Sequence, residues 1–380
     1  MAQLPKNGCA YPFKAKMLMH GTPATPCCRF HDRFLSEADK DPNNLFADIR
    51  ATMMRNEWHP GCYKCKQDEE NRGMSMRIAA DEFFDDFDDV MRLEYMEITV
   101  GRLCNLACVT CGFEYSHKWD DDAIALKQPS LWKMEHFKKN NELDLDSLSI
   151  DELQYVRHIK VTGGEPLLHK QFLNLIVRLA DAGIAQNIDI EIFTNCTWWP
   201  KKVEYDALLQ FKSIRITASI DAHNELNTII RYPARWEVME STLDKWIATS
   251  KEHGLDKFEV LIAGTVSVLN APVLYDFAYW ARQIKRVPLI LQPVYEPHEY
   301  ALSEWPKWYK DRVLEKFMTQ WNATDENVQF RLRRAHDMIT SLCATEKDED
   351  NSMEYLAKIT ELTEHRKQDI SNTEFYKLLQ

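Results

Sequence analysis

Short apolar runs alternate with longer amphipathic stretches through the middle of the chain. Apolar residues recur at helical spacing over 171–182, 235–251 and 271–284. Six runs rich in apolar and β-branched residues each predict a strand, and they lie at 93–100, 156–161, 188–193, 214–220, 258–267 and 287–292. Strands that alternate with helices in this way predict an α/β fold built from parallel β/α units.

The pattern changes on both sides of this region. After residue 297 apolar residues follow helical spacing over 307–321, 326–342 and 355–379, and 35–58 predicts a further helix near the start. Acidic and aromatic residues alternate at 81–89, which predicts an amphipathic connecting segment. We therefore expect three parts, at residues 1–80, 81–300 and 301–380.

Composition limits the classes of partner. The chain has 380 residues, of which 45% are hydrophobic, enough for a substantial core. Its net charge of −12 argues against a broad nucleic-acid-binding surface. No signal core or membrane-length apolar run occurs, so we expect a cytoplasmic protein without a membrane partner. In a reducing compartment the ten cysteines are expected to be ligands rather than disulfides.

The first chemical signal directly follows the first predicted strand. It reads Cys104-Asn-Leu-Ala-Cys108-Val-Thr-Cys111, three thiols spaced x3 and x2. A zinc site would require a fourth ligand close by, whereas three thiolates can hold a four-iron four-sulfur (4Fe–4S) cluster and leave one iron open. A buried or metal-structural trio is the alternative interpretation of the same residues.

A second signal follows the next predicted strand, where the chain reads Thr162-Gly163-Gly164-Glu165-Pro166. Paired glycines let a backbone approach a ligand closely, and the carboxylate can face a cation. Ligand-binding residues of parallel α/β folds collect at the carboxyl ends of strands, where both motifs lie.

Together these motifs resemble the radical S-adenosylmethionine (SAM) superfamily. The resemblance implies a partial (β/α)6 barrel, a cluster bound by Cys104, Cys108 and Cys111, and SAM as the second cofactor. Thr110 departs from the family pattern, in which an aromatic residue often precedes the third cysteine.

The resemblance also implies residues that contact SAM. Later strand ends carry Thr-Asn, Ser-Ile-Asp and Arg-Tyr-Pro sequences whose polar side chains can bind ribose or carboxylate groups, although each can equally cap a helix or close a turn. The implied SAM contacts are Gly163, Gly164, Glu165, Thr194, Asn195, Ser219 and Arg231. No catalytic residue is assigned; Cys196, Asp221 and Tyr295 are candidates for action on the substrate.

A second group of cysteines precedes the predicted barrel. Cys9, Cys27 and Cys28 are followed by Cys62-Tyr-Lys-Cys65, a tight metal-chelating pair. The group resembles the twitch domain, a shortened relative of the SPASM domain that binds an auxiliary iron–sulfur cluster. This implies a second 4Fe–4S cluster on Cys9, Cys27, Cys62 and Cys65, with Cys28 in reserve because the Gly21–Cys27 gap is one residue longer than usual. A zinc ribbon remains open.

These features predict an enzyme that cleaves SAM reductively and abstracts hydrogen from a substrate. Because twitch and SPASM relatives commonly modify peptides or proteins, that substrate class is expected first. Dehydrogenation of a small polar metabolite or nucleotide is the alternative, and an iron–sulfur or zinc binding platform is the non-enzymatic one. The resemblance further implies a reducing partner such as flavodoxin or ferredoxin.

Overall fold

The computed structural model describes residues 4–84, 90–128, 130–140, 142–347 and 349–380. Residues 85–89, which form most of the predicted acidic connecting segment, lie outside these ranges. Within the described ranges, none of the helices is both long and apolar enough to span a lipid bilayer.

Seven strands form one parallel sheet in which they follow one another in chain order. Tyr95 pairs with Ala15 on one side and with His158 on the other, and Ile262 pairs with Leu289 near the far edge. The strands are β1 (Ala15–Met19), β2 (Tyr95–Thr99), β3 (His158–Thr162), β4 (Asp189–Thr194), β5 (Ser213–Ser219), β6 (Phe258–Val266) and β7 (Leu289–Pro293). The predicted α/β fold is confirmed, and the open sheet is consistent with a partial barrel.

The strand count needs a correction, because β1 was not among the six predicted strands. Its sequence, Ala-Lys-Met-Leu-Met, contains no β-branched or aromatic residue and therefore has little strand propensity of its own. Pairing with β2 supplies the ladder that this sequence does not favour alone. The cysteine-rich N-terminal region thus contributes an edge strand to the sheet.

The helices follow the predicted periodicity most closely where the amphipathic pattern is long. The helices predicted at 171–182, 235–251, 307–321 and 326–342 are found at Lys170–Asp181, Trp236–His253, Lys307–Asn322 and Glu326–Cys343, respectively. The α-helices are α1 (Tyr11–Lys14), α2 (Ala47–Met54), α3 (Tyr63–Arg72), α4 (Met76–Phe83), α5 (Asp120–Ala125), α6 (Met134–Lys139), α7 (Ile150–Leu153), α8 (Lys170–Asp181), α9 (Lys202–Leu208), α10 (Glu225–Ile230), α11 (Trp236–His253), α12 (Leu274–Tyr279), α13 (Lys307–Asn322), α14 (Glu326–Cys343), α15 (Ser352–His365) and α16 (Glu374–Lys377).

Three predicted helices are interrupted or shorter. The stretch 271–284 divides into a 3₁₀ turn, α12 and a π-helical turn at Trp280–Ile284. Only α2 forms within 35–58, because Pro42 interrupts the pattern and the buried Asp39 carboxylate instead accepts hydrogen bonds from the backbone N–H groups of Ser36 and Ile49. The stretch 355–379 breaks after α15, where Lys367 takes the left-handed conformation with φ 56°.

The chain divides into two compact units. The first unit consists of Met1–Gly101, His136–Ile192 and Pro200–Ile214, and the second of Arg102–Glu135, Phe193–Trp199 and Arg215–Gln380. The core of the first unit includes an N-terminal cluster around Phe13, Phe46 and Ile49. The core of the second unit includes Trp246 and Trp305, both fully buried.

Candidate functional site

Residues 104–111, here called the cysteine loop, lie in the second unit after β2. The loop is fixed by backbone hydrogen bonds, because Ala107 N–H donates to Tyr232 O and Val109 N–H donates to Ile230 O at 2.8 Å. The indole Nε1–H of Trp119 donates to Cys108 O at 2.8 Å. These hydrogen bonds give the loop a defined backbone conformation.

Hydrogen-bond donors face the thiols of the loop. Leu106 N–H lies 3.5 Å from Cys104 Sγ, and Asn195 Nδ2 lies 3.8 Å from the same sulfur. Arg231 Nη1 lies 3.8 Å from Cys108 Sγ. Such donors stabilise the thiolate, and the thiolate is the form of cysteine that binds iron.

Burial opposes that charge. Burial, with a smaller contribution from the neighbouring Cys108, raises the pKa of Cys111 to about 12. Burial also raises the pKa of Cys108, although Arg231 acts in the opposite direction. Metal binding must displace protons from these thiols, and Arg231 lowers the cost of doing so.

Arg231 is itself held by a buried carboxylate. Its Nη2 lies 3.1 Å from Asp221 Oδ1 and its Nε lies 2.9 Å from Asp221 Oδ2. Burial is the largest single influence and lowers the pKa of Arg231, but Asp221, Cys108 and Cys104 together outweigh it, so the net shift is upward and the guanidinium stays charged. Asp221 Oδ1 also accepts a hydrogen bond from Thr265 N–H at 2.7 Å. Asp221, a candidate for action on the substrate, therefore has both oxygens engaged within the protein.

The polar residues at the end of β4 are also engaged. The Asn195 amide donates to Asn105 Oδ1 at 3.0 Å and accepts from Thr197 N–H at 2.9 Å. Thr194 Oγ1 accepts from the backbone N–H of Cys196, which is fully buried and has φ 59°. Asn195 thus ties this strand end to the cysteine loop.

Two other predicted residues differ in exposure. Ser219 ends β5 and is half-buried, so its hydroxyl lies at the strand end as predicted. Tyr295 is 71% exposed and follows the last strand. The roles of Ser219 and Tyr295 therefore stay predictions.

The Gly-Gly-Glu-Pro segment lies in the first unit, directly after β3. A Cβ atom at Gly163 would lie 2.9 Å from Val100 N and 3.1 Å from Gly101 O, and Gly163 has φ 123°. Gly164 N–H donates to Gly101 O at 2.8 Å. Glycine at 163 is therefore required by the close approach of the chain that follows β2, a reason that the sequence interpretation did not include.

Glu165 is fully buried at the end of this segment. Its Oε1 accepts a hydrogen bond from Leu167 N–H at 3.2 Å and so caps the 3₁₀ turn Pro166–Leu168. The carboxylate thus has a local structural role in addition to its predicted role toward the amino group of SAM.

Cys9, Cys27, Cys62 and Cys65, here called the N-terminal cysteine set, line one cavity in the first unit. Its walls also include the rings of Tyr11, Phe30 and Trp58 together with Arg29 and Arg77. Burial, with a smaller contribution from Cys65, raises the pKa of Cys27 and of Cys62 to about 12 each. The fold therefore brings together the four cysteines that the sequence resemblance implies as cluster ligands.

Cys28 lies apart from that cavity lining. Its thiol is exposed and lies 3.7 Å from Met76 Sδ. His59 Nδ1 accepts a hydrogen bond from Gly61 N–H and stacks on Phe30 at 5.4 Å between ring centroids. His31 Nδ1 likewise accepts from Arg33 N–H. Both histidines serve as helix caps.

The sequence interpretation missed three residues around the cysteine loop. They are Trp119, Tyr232 and Arg366, and the Arg366 guanidinium lies near both aromatic rings. Nothing in their local sequence marks them, because each is recruited from a separate segment. Asn105 inside the motif was also missed, although its position between two cysteines was a usable signal.

The donor chemistry of both sites suits iron–sulfur binding. The cysteine loop offers three thiols with N–H donors directed at two of them, and the N-terminal cysteine set offers four thiols around one cavity. In the part of the chain that the structure describes, no three Cys, His, Asp or Glu side chains surround one point closely enough to hold a single metal ion.

Residues 98–263 match the family model described as the Radical SAM superfamily. That superfamily implies a 4Fe–4S cluster and SAM. Two curated relatives are both named GTP 3′,8-cyclase. The protein from Thermodesulfovibrio yellowstonii is 28% identical over 198 residues, covering 51% of this chain and 54% of that protein. The protein from Listeria welshimeri serovar 6b is 28% identical over 130 residues, covering 34% of each.

The chain thus spans between a third and about half of the length of these relatives. Solved structures with similar folds include "Native anSMEcpe with bound AdoMet and Cp18Cys peptide", 18% identical with a TM-score of 0.35, covering 60% of this chain and 59% of that one. Streptococcus suis SuiB bound to S-adenosylmethionine is 15% identical with a TM-score of 0.33, covering 73% of this chain and 55% of that one. Similarity at this level assigns neither a substrate nor a partner.

Proposed function

We propose that this protein is a radical SAM enzyme that cleaves SAM reductively and abstracts hydrogen from a substrate. The observation that carries the proposal is the cysteine loop itself, whose three thiols lie in the matched domain with N–H donors at Cys104 and Cys108. In this proposal Cys104, Cys108 and Cys111 hold the cluster, and Gly163, Gly164, Glu165, Thr194, Asn195, Ser219 and Arg231 are the candidate SAM contacts.

The cluster that Cys104, Cys108 and Cys111 would hold would, with bound SAM, supply reductive cleavage of SAM and a radical able to take hydrogen from the substrate. The chain's own part is positioning and charge. Leu106 N–H and the Asn195 amide donate to Cys104, and the Arg231 cation offsets the charge of Cys108. Cys104 is buried and Cys108 and Cys111 are half-buried, and this limited contact with water strengthens each of those interactions.

For the N-terminal cysteine set we propose a second, auxiliary 4Fe–4S cluster in a twitch-like region. Support comes from the common cavity of Cys9, Cys27, Cys62 and Cys65. The competing zinc ribbon uses the same thiolates and is separated from it by metal analysis of the purified protein.

Two substrate classes are in competition. A peptide or protein is the first candidate, because the N-terminal cysteine set resembles the auxiliary-cluster region of peptide-modifying enzymes. A nucleotide is the second, because the curated relatives carry the name GTP 3′,8-cyclase. A cytoplasmic location and a flavodoxin or ferredoxin as reductant complete the proposal.

The test is SAM cleavage by anaerobically reconstituted protein supplied with a chemical reductant. We expect 5′-deoxyadenosine in the wild type and none when Cys104, Cys108 and Cys111 are all replaced by alanine. A triple variant that still forms 5′-deoxyadenosine would falsify the assignment. Repeating the assay with GTP and with a peptide library distinguishes the substrate classes, because a true substrate increases 5′-deoxyadenosine formation.

A further inference from the structure

Arg366 directly follows α15 and lies buried in the second unit behind the cysteine loop. Its side chain is 1% exposed, and that of Asp122 is 8% exposed. Arg366 Nη2 lies 2.7 Å and Nε 3.1 Å from Asp122 Oδ2, so the guanidinium binds the carboxylate by two donors. The pair compensates both buried charges, which would be costly if either stood alone.

The guanidinium also lies against two aromatic rings. Its Cζ is 4.8 Å from the centroid of the Trp119 ring and 5.0 Å from that of the Tyr232 ring. A planar guanidinium stacks on aromatic faces, and each such contact is strongest where water is excluded. A lysine ammonium at this position would keep the charge but would lose the planar fit and one of the two donors to Asp122.

Both rings belong to residues that bond directly to the backbone around Cys108. Trp119 Nε1–H donates to Cys108 O at 2.8 Å. Tyr232 O accepts a hydrogen bond from Ala107 N–H, and the neighbouring Ile230 O accepts from Val109 N–H. The backbone of Cys108 is thus held on two sides by segments that meet at Arg366.

We propose that Arg366 is a positioning residue for the cysteine loop, fixing Cys108 through Trp119 and Tyr232. The C-terminal helical region is then part of the radical SAM site. This inference rests on the proposed function, because the geometry that Arg366 maintains matters chemically only if Cys108 binds the cluster.

The test compares Arg366→Lys and Arg366→Met with the wild type, all as reconstituted full-length proteins in a Cys62→Ala/Cys65→Ala background. That background leaves the cysteine loop as the principal iron site. The readouts are the rate at which an iron chelator removes iron and the electron paramagnetic resonance (EPR) spectrum of the reduced cluster with and without SAM. We expect both variants to lose iron about ten-fold faster or more, as the loss of one desolvated cation–π contact implies.

Lysine separates position from charge. If Arg366 acts by its planar contacts, Arg366→Lys behaves like Arg366→Met, and the change that SAM causes in the EPR spectrum is weakened in both. If Arg366→Lys restores the wild-type release rate and spectrum, charge alone suffices and the positioning role is overturned. If Arg366→Met does not fold, two other variants serve. Arg366→Met/Asp122→Asn removes both buried charges and should repeat the faster iron release. Trp119→Phe removes the hydrogen bond to Cys108 O and should show a smaller increase in iron release.

The matched control is Lys310→Met. Lys310 is a fully buried cation of the same helical region whose Nζ donates to the carbonyls of Ser303 and Thr345. Iron release that rises equally in Lys310→Met reflects general destabilisation and overturns the inference. Wild-type protein that holds no cluster on the cysteine loop overturns the proposed function as well, whereas a wild-type cluster with unchanged release in Arg366→Met overturns this inference alone.

Discussion

The two cysteine-rich regions of this protein have different surroundings. Cationic Arg231 contacts Cys108 of the cysteine loop directly, and N–H donors face Cys104. The N-terminal cysteine set lines a cavity whose walls combine the rings of Tyr11, Phe30 and Trp58 with Arg29 and Arg77. An arginine nitrogen therefore lies 3.8 Å from one sulfur of the cysteine loop, whereas aromatic rings and arginines share the walls around the N-terminal cysteine set.

This difference has chemical consequences. Burial raises the pKa of thiols in both regions, to about 12 at Cys27 and at Cys111. An arginine counters that effect in both regions, but Arg231 is second only to burial at Cys108, whereas at Cys62 the effect of Arg77 is smaller than that of the neighbouring Cys65. Positive charge beside the sulfur favours thiolate and stabilises added electrons, so we expect the loop to support SAM chemistry and the N-terminal cysteine set to support structure or electron transfer.

The largest expected effect is an asymmetry between cysteine replacements. Alanine at Cys104, Cys108 and Cys111 should abolish 5′-deoxyadenosine formation and leave about four irons of about eight, the content of two cubane clusters. Alanine at Cys62 and Cys65 should also leave about four irons but retain SAM cleavage. Iron analysis and chromatography of the products measure both. Loss of SAM cleavage in both variants to the same extent would contradict the division of roles.

The next effect distinguishes two adjacent cysteines. Cys27 lies in the cavity lining, whereas Cys28 is exposed and contacts Met76. Cys27→Ser should therefore lose about four of about eight irons, while Cys28→Ser should lose none. Cys28→Ser is the matched control, since the substitution and the chain position are nearly identical. The reverse result would move the ligand assignment to Cys28, and zinc in place of the missing iron would favour a zinc ribbon.

Most of the sheet could be predicted from sequence, because buried parallel strands are apolar runs of recognisable length. All six predicted strands occur, and the missed β1 has the least typical strand composition. Pairing with β2 stabilises β1, and that long-range contact leaves no local signal. The helix expected over 35–58 is reduced to α2 for a local reason, because Pro42 interrupts the pattern and the Asp39 carboxylate binds nearby backbone N–H groups.

The candidate site could be predicted only as far as its motifs extend. The cysteine motifs identified the cysteines. They did not indicate the hydrogen bond from Trp119 to Cys108 or the placement of Arg366 between two rings. These residues come from segments far apart in the chain, at 107–119, 230–232 and 366. The resemblance to radical SAM proteins also implied Arg231 as a contact for the carboxylate of SAM, without indicating that Asp221 already binds it.

A third prediction tests whether Arg231 is chiefly structural. Removing one partner of a buried ion pair typically costs about 3–5 kcal/mol, because the other charge is left uncompensated. Arg231→Met should therefore lower the free energy of unfolding by about that amount, and Arg231→Met/Asp221→Asn should recover part of it. Chemical denaturation of the apoprotein measures both. Unchanged stability in Arg231→Met, together with weaker SAM binding, would mean that Arg231 serves the ligand and not the fold.

The smallest expected effect concerns Glu165, which belongs to the first unit and lies outside both cysteine regions. Its carboxylate is a candidate partner for the amino group of SAM, a charge-assisted contact worth about 1.5–3 kcal/mol. Glu165→Ala should therefore retain the iron–sulfur absorbance and weaken SAM binding about ten-fold or more by calorimetry. Because Oε1 also caps the turn at Pro166–Leu168, stability should fall by about 1 kcal/mol.

Glu165→Gln separates these two roles, since the amide retains an acceptor for Leu167 N–H but carries no charge. We expect Glu165→Gln to keep most of the stability while SAM affinity falls nearly as far as in Glu165→Ala. If SAM binding is unchanged in both variants with the clusters intact, the carboxylate is only a cap. The Gly-Gly-Glu-Pro segment would then serve the close approach of Gly163 to the chain after β2, and SAM recognition would have to lie with the residues around the cysteine loop.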